Sequence, residues 1–129
     1  MAHPNEDVVR RGYDAFATGD MDTLGSLFAD DAVWHVQGRN PLAGDYRGVE
    51  AILGYFGQSM QLTGGNFSVE VHDVIGNDNH VVGLHRARGE RQGRRMDGNS
   101  ALIFHLSDGK VREVWQMFED PYENDEFWS

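Results

Sequence analysis

Residues 80–119 read HVVGLHRARGERQGRRMDGNSALIFHLSDGKVREVWQMFE, and this stretch decides the fold. Two groups of turn-forming residues interrupt it, Arg91-Gln92-Gly93 and Ser107-Asp108-Gly109. They leave three segments of strand length, at about 80–90, 95–106 and 110–119. Successive strands joined by tight turns pair side by side, so this part of the chain predicts an antiparallel meander.

A fourth strand precedes the meander. Phe67, Val69 and Val71 alternate with three polar residues, which is the period of a strand buried on one face only. The turn-forming segment Gly76-Asn77-Asp78-Asn79 then separates this strand from the next. The second half of the chain is therefore predicted to be a sheet.

The first third is predicted to be mostly helical. Val9, Tyr13 and Phe16 recur at helical spacing, with Asn5 available as an N-cap and Gly19 as a C-terminal stop. The segment Asp20-Met21-Asp22 can cap a second short helix that places three apolar side chains on one face, Leu24, Leu27 and Phe28.

A short strand and a third helix complete the first half. Residues 32–36 form a β-prone run that Gly38 closes, and a loop over 40–48 follows. A third helix then shows an apolar stripe at helical spacing, formed by Val49, Ile52, Leu53, Phe56 and Met60. Helices followed by a long sheet indicate an α+β fold with the helices packed on one face of the sheet.

Composition limits the partners. The 129 residues suit one domain, predicted over 1–129, with 40% hydrophobic and 25% charged residues. Acidic residues outnumber basic ones by 21 to 11, so the net charge is −10. This charge repels phosphate backbones and anionic lipid, so we expect neither nucleic acid nor membrane as a partner.

Cysteine is absent and no apolar signal or membrane segment is visible, which favours a cytoplasmic protein. The six histidines show no zinc-ligand spacing, and Gly64-Gly65 lacks the lysine and helix of a phosphate-binding loop, so neither a metal nor a phosphate-bearing cofactor is expected.

Four segments carry a family resemblance: Thr-Gly-Asp-Met-Asp at 18–22, Phe-Ala-Asp-Asp-Ala-Val-Trp-His-Val at 28–36, Asn-Pro-Leu-Ala-Gly-Asp-Tyr-Arg-Gly at 40–48, and Asp-Gly-Lys-Val-Arg-Glu-Val-Trp-Gln at 108–116. Their order resembles the nuclear-transport-factor-2-like superfamily, and within it the SnoaL-like polyketide cyclase branch, which is related to ketosteroid isomerase. The resemblance implies a cone-shaped roll in which N-terminal helices pack on a curved, mostly antiparallel sheet around an apolar pocket. It also implies a homodimer.

The residues of ketosteroid isomerase chemistry are missing. That enzyme uses an aspartate base and an oxyanion hole formed by a tyrosine and a protonated aspartate. The resemblance places the base at Val36, the tyrosine at Gly12 and the acid at Leu102 or Ala101. Only Tyr13, one position from Gly12, could restore one of these groups through a shifted register.

The same alignment predicts a pocket for a small hydrophobic molecule. Its candidate ligand-binding residues are Trp34, Tyr55, Phe56, Ser100, Gln116 and Phe118. The alternative is that these aromatic side chains simply fill the concave face as core.

Two residues are candidate catalytic groups. His85 can exchange a proton near neutral pH, and Gly83 and Ala87 on the same strand face leave room for a ligand. Asp120 would have a raised pKa at the rim of an apolar cavity, and the SnoaL-like cyclases work with a single aspartate. The alternatives are a structural histidine, and an aspartate that ends the strand before Pro121.

Three functions remain open at this point. The chain could be a cofactor-independent cyclase or isomerase, a ligand-binding module without chemistry, or an oligomerisation domain with a filled core. The aromatic and acidic tail over 121–129 is expected to pack against either its own cone or a partner subunit.

Overall fold

A computed structural model describes residues 3–129 of the chain. Its helices are α1 (Pro4–Thr18), α2 (Met21–Ser26), α3 (Val49–Leu62) and α4 (Pro121–Trp128). Its strands are β1 (Phe28–Val36), β2 (Gly44–Arg47), β3 (Ser68–Gly76), β4 (His80–Arg91), β5 (Arg94–Ser107) and β6 (Lys110–Phe118).

The strands form one six-stranded sheet in the order β2-β1-β6-β5-β4-β3. Every neighbouring pair is antiparallel except β1 and β6, which run parallel. Irregularities in register lie between Val71 and Asp73 and between His105 and Leu106. Such bulges bend strands and increase their twist, and the sheet curves around the helices. The predicted α+β roll with a mostly antiparallel sheet is confirmed.

The meander follows the predicted segments within two residues at each end. Helix α1 lies against β3 and β4, while α3 lies against β1 and β2. Alternate residues of β4 are buried on the helix side, beginning with Val81 and including His85. The alternation of small and apolar residues with polar ones in the sequence therefore predicted correctly which side chains of β4 lie on the concave face.

The start of α1 differs from the prediction. His3, not Asn5, is the N-cap, and its Nδ1 accepts a hydrogen bond from the Asn5 backbone N–H at 3.0 Å. The Asn5 side chain instead donates to the carbonyl oxygens of Asn77 and Asp78, at 3.1 and 2.9 Å. An asparagine can satisfy either role, and here it ties the first helix to the β3–β4 turn.

The predicted end of α1 and cap of α2 are correct, but α2 ends at Ser26, so Phe28 lies in β1 and not on the second helix as predicted. Gly19 ends α1 in the left-handed conformation with φ 73°, which a glycine adopts without a Cβ penalty. The Asp20 carboxylate caps α2 by accepting from the Thr23 N–H at 3.1 Å.

Two elements lie where the sequence predicted none. Strand β2 is the first of them and occupies part of the predicted loop over 40–48. The neighbouring strand β1 was predicted, but it begins at Phe28 instead of residue 32. Helix α4 begins directly after β6, with Pro121 in its first turn, where a missing N–H costs nothing.

Helix α4 packs the aromatic tail on its own chain. Phe127 is 2% exposed, and Trp128 meets Phe67 edge-on with ring centroids 5.8 Å apart. Arg91 and Arg94 donate to backbone carbonyls in the last turn of the helix, where cations are favoured. The tail thus packs against its own cone, the first of the two expectations.

No helix among residues 3–129 is long and apolar enough to cross a membrane.

We expect Phe127→Ala to lower the free energy of unfolding by about 3–5 kcal/mol, because it opens a cavity beneath α4. Tyr122→Ala is the matched control, since Tyr122 is an aromatic residue of the same helix that is 84% exposed. It should change stability by less than about 0.5 kcal/mol in urea unfolding. Equal losses in the two variants would contradict the packing of α4 described above.

Candidate functional site

A cavity of about 90 Å³ lies between the concave face of the sheet and the helices. Its wall is apolar and combines valine and leucine side chains with aromatic rings, which include Phe16, Phe28, Trp34, Phe56, Phe67 and Phe104. These rings meet mostly edge to face, as Trp34 and Phe56 do at 4.9 Å between centroids. The concave face is thus packed with aromatic side chains and still leaves an internal space.

The size of the cavity limits its occupant. One water needs roughly 10–15 Å³ of such space, and an engineered apolar cavity of about 150 Å³ takes up benzene. The cavity therefore has room for a molecule of a few heavy atoms, and a ring system would require the lining side chains to move apart.

Tyr13 and His85 form the polar pair of this cavity. The Tyr13 hydroxyl lies 2.9 Å from His85 Nδ1, and the two rings meet edge to face. Gly83 makes this contact possible, since a Cβ at that position would lie 2.5 Å from the Tyr13 hydroxyl oxygen. The space that the sequence assigned to a ligand beside Gly83 is occupied by tyrosine.

Burial makes this pair uncharged. Loss of solvation, with a smaller electrostatic contribution from His72, lowers the pKa of His85 to about 4. Desolvation also raises the pKa of the Tyr13 hydroxyl above its usual range. Both groups are therefore neutral at pH 7 and remain hydrogen-bonded to each other.

The neutral pair presents one donor and one acceptor to the cavity in either tautomer. If Tyr13 donates to Nδ1, the His85 Nε2–H is the donor and the phenol oxygen the acceptor. If Nδ1–H donates to the phenol oxygen, the Tyr13 O–H is the donor and Nε2 the acceptor. Nε2 has no hydrogen-bond partner among residues 3–129.

Gln116 organises a second polar group. Its Oε1 accepts from the Trp34 indole N–H at 3.0 Å and from the Tyr55 hydroxyl at 2.9 Å. Two donors on one oxygen fix the orientation of the amide, so its NH₂ group remains free to donate. Burial raises the pKa of Tyr55, which therefore stays protonated.

The structure divides the predicted site residues between two cavities. Those that line the first are Trp34, Tyr55, Phe56, His85 and Gln116. The others, Ser100, Phe118 and Asp120, line a second cavity of about 120 Å³ beneath α4. Ser100 is the cross-strand neighbour of both His85 and Phe118, so one row of residues separates the two spaces.

Asp120 and His85 do not meet. The Asp120 carboxylate caps α4 by accepting from the Glu123 N–H at 3.1 Å, and the residue is exposed. Strand β6 ends at Phe118, so the chain turns into α4 instead of continuing along the pocket face. The two candidate catalytic groups therefore do not share one pocket, and Asp120 ends the strand region and caps α4, as the alternative reading of this residue had it.

Tyr13 is the functional candidate that the sequence ranked too low. It stands one helical position from the place where ketosteroid isomerase would put its tyrosine, and it reaches the same cavity. Its partner is 72 residues away in the chain, so helical spacing alone could not identify the pair.

Among residues 3–129, no group of three or more histidine, aspartate or glutamate side chains is placed to hold a metal ion.

Residues 9–114 match the model of the SnoaL-like domain. The chain belongs to this family. It shares the nuclear-transport-factor-2-like fold, as the resemblance in the sequence implied. An uncharacterised protein of Mycobacterium tuberculosis (strain ATCC 25618 / H37Rv) is 32% identical over 124 residues, which are 95% of each chain.

Two solved structures extend the comparison of this SnoaL-like domain. Bal32a, from a soil-derived mobile gene cassette, is 42% identical with a TM-score of 0.94, and the match covers 98% of this chain and 97% of that one. IdmH of Streptomyces antibioticus, a proposed polyketide cyclase, is 25% identical with a TM-score of 0.75, covering 91% and 93%.

We expect Gln116→Leu to lower the free energy of unfolding by about 2–5 kcal/mol, because it leaves two buried donors without an acceptor. Gln58→Leu, on the exposed side of α3, is the control and should be close to neutral. Urea unfolding of both variants gives the comparison. A Gln116 variant as stable as the parent would show that the amide is not the acceptor for Trp34 and Tyr55.

The lowered pKa of His85 predicts a stability that falls in acid. The unfolded chain binds this proton near pH 6.5, whereas the folded chain binds it only near pH 4. Stability is therefore fully present above pH 6.5 and falls by at most about 3 kcal/mol as the pH drops to 4. His85→Gln should remove this part of the pH dependence.

The His85 Cε1 proton, followed by NMR during a pH titration, supplies the direct check. It should not shift between pH 8 and 5.5. A midpoint near 6.5 would contradict a buried, neutral imidazole.

Proposed function

We propose that this SnoaL-like domain binds a small hydrophobic carbonyl compound in the first cavity and catalyses a cofactor-independent proton transfer on it. The observation that carries the proposal is the Tyr13–His85 hydrogen bond inside an aromatic cavity. An apolar space with a few converging polar groups is the usual form of a small-molecule site.

The pair can move a proton without becoming charged. His85 Nε2 takes a proton from the carbon next to the carbonyl, and Nδ1–H passes its proton to the Tyr13 oxygen. The Tyr13 O–H in turn donates its proton to the carbonyl oxygen, so the ketone becomes its enol. The reverse steps restore the first tautomer of His85. The enol O–H returns a proton to the Tyr13 oxygen, Tyr13 passes its proton to Nδ1, and Nε2–H gives its proton to carbon.

The low pKa of His85 favours this concerted route over a stepwise one. Burial holds the pKa of His85 near 4, so an imidazolium left without a counter-charge is disfavoured in this cavity. The aromatic wall that destabilises the imidazolium does not oppose a shuttle in which the imidazole stays neutral.

Gln116 supplies orientation in this proposal. With Oε1 occupied by Trp34 and Tyr55, its NH₂ group can donate to a second acceptor on the ligand. A compound with two oxygen acceptors on an apolar frame suits this arrangement. The likeness to IdmH supports a cyclase-type or isomerase-type reaction of such a compound.

Binding without chemistry is the second candidate. No aspartate or glutamate side chain is among the residues that line the first cavity, so no carboxylate base is available there. In that case the same polar groups only orient the ligand. The third reading, a filled core for oligomerisation alone, is disfavoured by the internal space.

A homodimer and a cytoplasmic location remain predictions, which follow from the family resemblance and from the lack of cysteine.

The proton-transfer proposal is tested by following α-proton exchange of small ketones in D₂O by NMR. The ketones form a size series from butanone to 1-indanone. We expect the parent protein to accelerate exchange, and Tyr13→Phe and His85→Gln each to lose about 10²-fold or more. The smaller members of the series should react without the side-chain movement that ring systems need.

The matched controls are a tyrosine and a histidine outside the cavity. Tyr46 donates to the Leu42 carbonyl at 2.7 Å, and His105 lies on the opposite face of the sheet. Tyr46→Phe and His105→Gln should leave the exchange rate unchanged. Saturable binding of a ketone without accelerated exchange would reject the chemistry and leave the binding module.

A further inference from the structure

The partly exposed residues of the first cavity lie along one seam. Most of the side chains that line this cavity are buried, and Phe28, Phe56 and Phe104 are among them. Apart from Gln116, the lining residues with partial exposure belong either to α1 or to residues 67–69 at the start of β3. Solvent therefore meets the cavity wall mainly along this seam between α1 and residues 67–69.

The seam is tied by hydrogen bonds at one end and closed by aromatic rings at the other. At the start of α1, Asn5 donates to two carbonyls of the β3–β4 turn, at 3.1 and 2.9 Å. Near the end of α1, Phe16 meets Phe67 edge to face, with ring centroids 6.3 Å apart. Within the described chain, no hydrogen bond joins residues 14–20 to residues 63–70. The two rings can thus separate without breaking a hydrogen bond.

Phe67 combines a fixed backbone with a ring that has room to turn. The preceding residue, Asn66, accepts from the Glu90 N–H at 2.7 Å and donates to the Glu90 carbonyl at 3.0 Å, which ties this point of the chain to β4. The ring lies over Gly89, where an added Cβ would stand 3.3 Å from the ring Cδ1. Its edge-on neighbour from the tail is the buried Trp128. Rotation of one partly exposed ring is fast and leaves the strand in place.

We propose that Phe67 is the gate of the first cavity and that the size of its side chain determines which ligands enter. The inference deepens the proposed function, because it rests on the first cavity as the ligand site. A small ketone fits the space of about 90 Å³ behind the closed gate, whereas a ring system has to displace Phe67 from Phe16. Phe67 has no polar group to offer a ligand, so it selects by size and is not a catalytic residue.

The lack of cysteine in the chain allows a test of the gate that needs no ligand. Ser59→Cys puts a single thiol into the first cavity at a position that is 4% exposed. The rate of its alkylation under native conditions measures how often a reagent reaches the cavity. The two reagents are iodoacetamide and the bulkier N-phenylmaleimide.

Phe67→Leu and Phe104→Leu are the matched variants in this background. Both remove a phenyl ring from the cavity wall, but Phe67 is partly exposed at the seam and Phe104 is 6% exposed. We expect the Phe67 variant to react with N-phenylmaleimide at least about tenfold faster than its Ser59→Cys parent, and to gain less with iodoacetamide. The Phe104 variant should stay within about twofold for both reagents, although it loses more stability, and it therefore controls for labelling through unfolding.

Equal labelling rates in the two variants would overturn the proposal, because the entrance would then lie elsewhere. An equal gain for both reagents in the Phe67 variant would also overturn it, since the thiol would then react through unfolding. If Ser59→Cys does not fold, as judged by thermal unfolding, Val9→Cys supplies a thiol on the same cavity at a position that is 2% exposed. Size-dependent labelling without any acceleration of ketone exchange would support the gate and reject the proposed chemistry, so the two failures are distinguishable.

Discussion

The concave face of the sheet holds polar side chains away from water, and each of them must find a partner inside the protein. Leaving a buried polar group unpaired costs more free energy than forming one hydrogen bond contributes. This constraint therefore determines which polar groups can occupy the cone. Tyr13 satisfies His85, and Gln116 satisfies Trp34 and Tyr55 together. These contacts join α1 to β4 and α3 to β6. The hydrogen bonds that satisfy the polar side chains of the cavity therefore also hold the helices on the sheet.

The same constraint shows that the two cavities differ in chemical character. In the first, the polar groups satisfy one another and the remaining hydrogen-bonding capacity is small and neutral. In the second, the carboxylates of Glu119, Asp120 and Glu123 lie at an exposed rim. A network that closes on itself suits an uncharged ligand, whereas exposed carboxylates are satisfied by water. One fold thus offers two chemically distinct spaces separated by one row of residues.

Local signals in the sequence were sufficient for most of the fold. Turns at Gly76-Asn77-Asp78-Asn79, 91–93 and 107–109 set the strand boundaries, and alternation then identified which side of β4 faces the helices. The sequence did not reveal α4, because Pro121 after a strand reads equally as a strand end or a helix start. It also could not show that His85 and Asp120 belong to different spaces, since that depends on where β6 ends and how α4 folds back.

The proton transfer proposed above requires no carboxylate, because Tyr13 and His85 are hydrogen-bonded to each other. A carboxylate base must be ionised, and ionisation in an aromatic cavity requires several charged or donating neighbours. A neutral phenol–imidazole pair needs none, because each member supplies the hydrogen bond of the other. The two residues therefore act as a unit: replacing one leaves the other unsatisfied, and replacing both by apolar groups removes the polar cost altogether. Their contributions to stability and to proton transfer should consequently be strongly non-additive, which a structural histidine with an independent partner would not produce.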